Sequence, residues 1–261
     1  MQADLPLMAS APRITAKQRA VELGRPVLFL AAFVLAERFL GVWAAPIAAV
    51  SVFAVALLVH DLIHNALHLP KPWSDLALSF FALFLIKSGH ALRASHVRHH
   101  RLCLSSTDEE GRVAHASIPR LVITGPWIAL RARWTSFRDG SRSSRPWQAV
   151  ETAINVAWVA ALADAGARRG SIAAILYLGA VVLVTVSAPI WGAKIPHTLP
   201  VGHPIVVWLR ERAGRWTPAA CSVLFHELHH RAPRIPVALL AQRRAEIESL
   251  PPSPCKEPRR E

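Results

Sequence analysis

Three short histidine clusters constrain this chain more than any other feature. They are His60-Asp61-Leu62-Ile63-His64, His96-Val97-Arg98-His99-His100 and His226-Glu227-Leu228-His229-His230. On a helix, positions i, i+3 and i+4 share one face. Each cluster can therefore aim two or three ring nitrogens at one point. Neutral imidazole suits iron, copper or zinc. Eight such imidazoles exceed the needs of one tetrahedral zinc and match two metals with open positions. If they act together, all three clusters must lie on the same side of any membrane the chain crosses.

The chain does look like a membrane protein. It has 261 residues, 52% of them hydrophobic, with a mean hydropathy of +0.30. The net charge of +13 could signal nucleic-acid binding. The basic residues lie outside the apolar runs, however, and fit the positive cytoplasmic face of a membrane protein better. The three cysteines lack zinc-ribbon spacing.

Residues 1–25 are polar and basic (Arg13, Lys17, Arg19, Arg25) and are expected to be a cytoplasmic segment without a cleaved leader. A first apolar hairpin is expected from residue 26, turning near 41–46, with Glu37, Arg38 and Trp43 at the far interface. Its second arm, 39–59, reaches the roughly 20 residues a crossing needs. A second hairpin is predicted from apolar runs 150–163 and 172–192, joined by a polar turn through Asp164, Gly166, Arg168 and Arg169. Those two arginines oppose the positive-inside bias. Ten arginines between Arg93 and Arg145, and eleven lysines and arginines from Lys194 onward, outweigh them. The run 76–86 is too short to cross comfortably, and a full crossing there would separate the first two clusters. It is predicted to be an interfacial or re-entrant helix, and 121–130 to lie on the membrane surface. The expected fold is all-α: an integral membrane four-helix domain of two hairpins over 26–245, with a cytoplasmic helical cap carrying the histidines. A disordered tail is expected at 246–261.

His60 and His64 end a predicted spanning helix, and His68 extends the same face by one turn. Asp61 is a candidate acceptor for a ligating imidazole, because such rings usually donate their other N–H to a carboxylate or carbonyl. The third cluster also matches HExxH, the zinc-protease pattern. That reading leaves His229 and two whole clusters unexplained. Pro233 and Pro236 should end the third cluster's helix. His197 returns to the side of the clusters and is a candidate ninth ligand, with His203 weaker. His90 and His115 have no partner spacing and are read as ordinary structural or surface residues.

The pattern HxxxH, HxxHH, HxxHH, with about 30 residues between the first two boxes and a trailing HHxxPxxPxxxL (His229, His230, Pro233, Pro236, Leu239), resembles the membrane fatty acid desaturase superfamily, which includes carotenoid ketolases and some hydroxylases. The resemblance covers roughly residues 45–240. Ile195-Pro196-His197 is similar to the Leu-Pro-His of carotenoid ketolases. One departure follows the second box, where relatives carry an Asp-Pro-Asp-like stretch and this chain has Asp108-Glu109-Glu110.

The resemblance implies two irons per chain and O2 as co-substrate. Their ligands would be His60, His64, His96, His99, His100, His226, His229 and His230, joined by His197. It also implies a lipid substrate entering from the bilayer and a separate electron donor, a ferredoxin, rubredoxin or cytochrome. The expected reaction is O2-dependent desaturation of a fatty acyl chain; the alternative is ketolation or hydroxylation of a carotenoid or lipid at the same site. The expected location is a bacterial inner membrane with the boxes on the cytoplasmic side. A membrane metal transporter is a competing class, but the second hairpin offers few polar groups beyond Asn155, Thr185 and Ser187.

Overall fold

The computed structural model describes residues 14–213 and 218–251, and all regular structure among them is helical. Residues 1–13 of the basic segment and the tail from 252 onward lie outside these ranges.

Helix α1 (Ala16–Leu40) begins at a capping box, in which the Thr15 hydroxyl accepts from the Gln18 N–H and the Gln18 side chain accepts from the Thr15 N–H. The helix thus starts ten residues before the apolar run suggests, and part of the expected cytoplasmic segment is its first turns. A 3-10 turn (Gly41–Ala44) follows, and α2 (Ala45–Ile63) runs back along α1. Gly41 reverses the chain at φ +53°, where a Cβ would be strained. The Ser51 hydroxyl of α2 donates to the Phe29 carbonyl of α1 at 2.8 Å. Helix α2 also packs on α8 (Ile172–Ala188), with Val52, Val55, Val59 and Leu62 buried around it.

Helix α3 (Lys71–Leu83) has 13 residues. At 1.5 Å per residue it rises about 20 Å, short of the roughly 30 Å hydrocarbon core. This agrees with a helix that does not cross. Helix α4 (Gly89–Leu102) returns from it and carries the second histidine box. A short α5 (Arg112–His115) leads to α6 (Ile118–Arg138). Along α6, Ile123, Trp127, Leu130 and Trp134 are exposed, as a helix lying in a membrane surface would leave them.

The second hairpin is α7 (Ser144–Arg169) and α8. Gly170, at φ +63°, closes α7, and Ser171 caps α8 by accepting from the Ala174 N–H. The two arginines of the turn are held by Asp164, at 2.9 Å from Arg168 and 3.4 Å from Arg169. Two stretches are long and apolar enough to cross a membrane, Ala16–Ile63 and Ile172–Thr198. The 26-residue α7 is not among them.

Past α8 come a π-helical turn (Pro189–Lys194) and α9 (Ile195–Thr198). Helices α10 (Pro204–Ala213), α11 (Pro218–Leu224) and α12 (His226–Arg231) follow, then a 3-10 turn (Val237–Leu239) and α13 (Arg244–Glu248). Helix α12 stops one residue before Ala232-Pro233, as expected. The body continues past the expected boundary at 245, because Ile247 of α13 is fully buried.

Candidate metal centre

Four elements deliver histidines to one place. The last turn of α2 gives His60, and its C-cap gives His64. Helix α4 gives His96, His99 and His100, α9 gives His197, and α12 gives His226, His229 and His230. They form two groups whose candidate ligand nitrogens lie within 4.8 Å of one another: His60, His64, His96 and His229, and His99, His197, His226 and His230. His100 adjoins the first group. Its Nε2 lies 3.2 Å from that of His96 and 3.1 Å from that of His229.

Helical geometry explains the partition. Adjacent residues on a helix point about 100° apart, so the paired histidines of each HH dyad face different groups. His99 goes to the second group and His100 to the first; His229 goes to the first and His230 to the second. The third contributor, four residues before the end of each box, follows its i+4 partner: His96 with His100, His226 with His230.

The nitrogens suit cations better than one another. His99, His197, His226 and His230 form a chain of Nε2 contacts at 3.1, 3.1 and 3.0 Å. His99 already directs Nδ1 at Asp108, so its Nε2 presents a lone pair. The ring nitrogens Nδ1 of His60, Nε2 of His64 and Nδ1 of His229 are buried without a hydrogen-bond partner. Two nitrogens each about 2.0–2.1 Å from a shared ion sit about 2.8–3.4 Å apart, which matches these contacts. The residues fit two metal ions.

Burial and the neighbouring imidazoles hold His64, His226, His229 and His230 well below the ordinary histidine range. Burial also lowers His96 and His100. These rings are neutral at pH 7, the form that binds metal. His99 differs. Burial pulls it down, but its hydrogen bond to Asp108 and the charges of Glu110 and Asp108 outweigh that, and its pKa is raised.

The orienting carboxylates come from the acidic stretch after the second box. Asp108 Oδ2 lies 2.7 Å from His99 Nδ1, and Glu110 Oε2 lies 2.9 Å from His96 Nδ1. Glu110 also accepts from the Ser95 hydroxyl. In sequence this stretch stands out only as a departure from its relatives, three acids within one short loop after the box. Asp61, expected to orient an imidazole, does not. Its Oδ1 is 3.9 Å from His60 Nδ1 and accepts instead from the Val237 N–H at 3.1 Å. It ties the segment after the third box to α2.

His68 is not brought into either group. Helix α2 ends at Ile63, and Asn65 and His68 take positive φ values of 50° and 52°. The Asn65 amide brackets the backbone of Leu69, accepting from its N–H and donating to its C=O at 3.0 Å each. His203 immediately precedes α10, and its Nδ1 accepts from the Ile205 N–H. His115 is exposed. His90 is buried, stacked on Trp147, with Nδ1 2.8 Å from Glu151. The base a zinc protease would need, Glu227, is instead bound to Arg210 at 2.5 Å.

A cavity of about 500 Å³ opens against the histidines. His60, His96, His226 and His229 line it, with Leu57, Leu92, Ile128 and Trp191 among its apolar walls. Its floor includes the π-helical turn, a device often found at functional sites. Trp191 of that turn packs edge-on to Phe53 of α2, centroids 4.4 Å apart.

The class the fold and site define is an all-helical protein with two adjoining histidine groups that could each hold a metal ion, and an apolar cavity against them. The fatty acid desaturase family profile matches residues 37–256. The chain belongs to that family, whose members are oxidoreductases. No curated protein and no solved structure matches it.

Proposed function

We propose that this chain is an integral membrane di-iron oxidoreductase that desaturates a fatty acyl chain with O2 and two external electrons. The observation that carries this is the convergence of nine histidines into two adjoining groups against an apolar cavity. When bound, two irons supply the reductive activation of O2 that no side chain can perform. In balance, a –CH2–CH2– unit loses two hydrogens, and O2 takes up these, two donor electrons and two protons to leave two waters.

The chain's own residues do the rest. His60, His64, His96, His100 and His229 would hold one ion, and His99, His197, His226 and His230 the other. Asp108 and Glu110 fix the ring orientation of His99 and His96. Leu57, Leu92, Ile128 and Trp191 exclude water and hold an extended alkyl chain against the histidines. A four-span topology of two hairpins, with the boxes together in a cytoplasmic cap, is the proposed arrangement; the convergence of the boxes on one side, the shortness of α3 and the arginine-rich loops support it. An inner bacterial membrane is the setting this topology and the arginine-rich composition favour. The exposed arginines around α4 and α6, Arg101, Arg131, Arg138 and Arg142 among them, suit an acidic ferredoxin, rubredoxin or cytochrome as donor.

Ketolation or hydroxylation of a carotenoid or lipid is the second reading. It is favoured by Ile195-Pro196-His197, whose histidine falls within the second group. Iron analysis of detergent-purified protein tests the shared core: about two irons per chain is expected, and one zinc would overturn it. Mass spectrometry of lipids from an unsaturation-deficient host, against pigments from a carotenoid-producing one, separates the two reactions.

A further inference from the structure

The cavity that meets the histidines carries a second chemical feature at a distance from them. Lys87 and Arg133 both line it. Lys87 sits in the turn between α3 and α4, and Arg133 on the face of α6 turned to the cavity. Arg133 donates to the neutral Thr152 hydroxyl, and no carboxylate among the described residues pairs with either cation. The acids nearby are committed elsewhere. Glu109 accepts from Arg131 at 3.2 Å and leaves its buried Oε2 without a donor. Glu110 serves Ser95 and His96. Glu151 serves Ser79, Ser88 and His90. Glu109 and Glu110 line the same cavity, yet neither Lys87 nor Arg133 is in contact with a carboxylate among the described residues, and a buried cation without such a contact costs energy until an anion reaches it.

One face of α4 runs the length of this cavity. Ser88, Leu92, Ser95 and His96 all line it, and eight residues of helix separate its Ser88 end from His96, about 12 Å of rise. The cations therefore stand at one end and the histidines at the other. We infer that Lys87 and Arg133 form a subsite for the anionic head group, carboxylate or phosphate, of a single-chain amphiphile whose alkyl chain extends toward His60 and His96. This rests on the acyl-chain reading above and narrows it. A neutral polyene has nothing to offer this end of the cavity.

The protonation of Lys87 agrees with the geometry. Burial and the nearby Arg133 guanidinium hold it below the ordinary lysine range, a strain that a bound anion relieves. Arg133 supplies the planar donor fork that suits either oxyanion.

The test is direct binding to the iron-loaded full chain in an uncharged detergent, read by quenching of tryptophan fluorescence. Three probes with the same chain are compared: palmitate, palmitoyl lysophosphatidate and methyl palmitate. Wild-type protein is expected to bind at least one of the two anions about tenfold or more tightly than the ester, as charge-assisted hydrogen bonds predict. Which anion wins separates carboxylate from phosphate. Lys87→Gln and Arg133→Gln should each erase most of the preference while leaving ester binding and iron content unchanged, and Lys87→Arg should keep it. Equal binding of all three probes by wild type, or a preference that survives Lys87→Gln and Arg133→Gln together, would overturn the subsite. The iron content measured on the same samples reports separately on the di-iron reading. A protein with two irons and no anion preference refutes the subsite alone.

Discussion

His99 and Asp108 form the most deeply buried imidazole–carboxylate pair of the histidine centre, 2.7 Å apart with their side chains 3% and 2% exposed. Asp108 also accepts from the Leu104 and Glu110 N–H groups, so the loop after α4 is wound around this carboxylate. Its pKa is low because the bond to and charge of His99, with the Gly111 and Leu104 N–H groups, outweigh its burial. The pair fixes which nitrogen of His99 faces the second histidine group. Asp108→Asn keeps the shape but removes the charge. The expected outcome is a loss of about 10–100-fold in affinity at that group, read as a fall toward one iron per chain. Glu110→Gln should weaken the first group instead. Unchanged iron content in both variants would show that the carboxylates do not support the ligands.

The neutral imidazoles make the metal-free protein sensitive to acid. Six rings outside the spans have lowered pKa values: His64, His96, His100, His226, His229 and His230. Each stays neutral in the folded chain and takes up a proton in the unfolded chain below about pH 6.5. The unfolded state then binds more protons, so stability is full above that pH and is lost as pH falls. His99, with its raised pKa, opposes this as a single group. The denaturation midpoint of metal-free protein in detergent should drop steadily between pH 7.5 and 5.5. A flat profile would mean that these rings are solvated rather than buried.

Much of this centre was legible in the sequence because helix periodicity is local. The spacing of His96 and His100, or of His226 and His230, needs no tertiary information to place two rings on one face. The non-crossing α3 followed from requiring His60 and His96 on the same side. What escaped depended on contacts between distant segments or on a single turn. Asp61 sits beside His60 in sequence, yet the Val237 N–H, distant in the chain, claims its carboxylate. His68 keeps helical spacing from His64, yet Asn65 ends the helix between them. The roles of Asp108 and Glu110 needed the fold of the loop after α4, and spacing alone marked them only as an acidic run.

At Gly89 the backbone of α4 lies directly against α3. A Cβ there would lie 2.7 Å from Leu78 Cγ and 2.9 Å from the Leu78 carbonyl oxygen. The backbone carbonyl cannot swing away as a side chain could, so α4 must shift, and it carries His96, His99 and His100 of the histidine centre. Gly89→Ala is expected to destabilise the protein by about 1–3 kcal/mol. Thermal denaturation should show a lower midpoint, and iron content should fall with it. A variant as stable as wild type would mean that α3 and α4 are less tightly apposed.

The proposed docking of an acidic donor makes a separable kinetic prediction. Arg101 follows directly on His100 at the end of α4, and Arg142 precedes α7; both are exposed. Charges so placed would raise the encounter rate of an acidic donor without touching the histidines, and salt would screen the effect over about 8–10 Å. The double variant Arg101→Glu, Arg142→Glu should raise the KM for an acidic ferredoxin severalfold at low ionic strength. The difference from wild type should shrink as salt is added, while kcat at saturating donor and iron content stay level. An increase that persists at high salt would point to a lost shape contact. An unchanged KM at every ionic strength would place the donor on another face of the molecule.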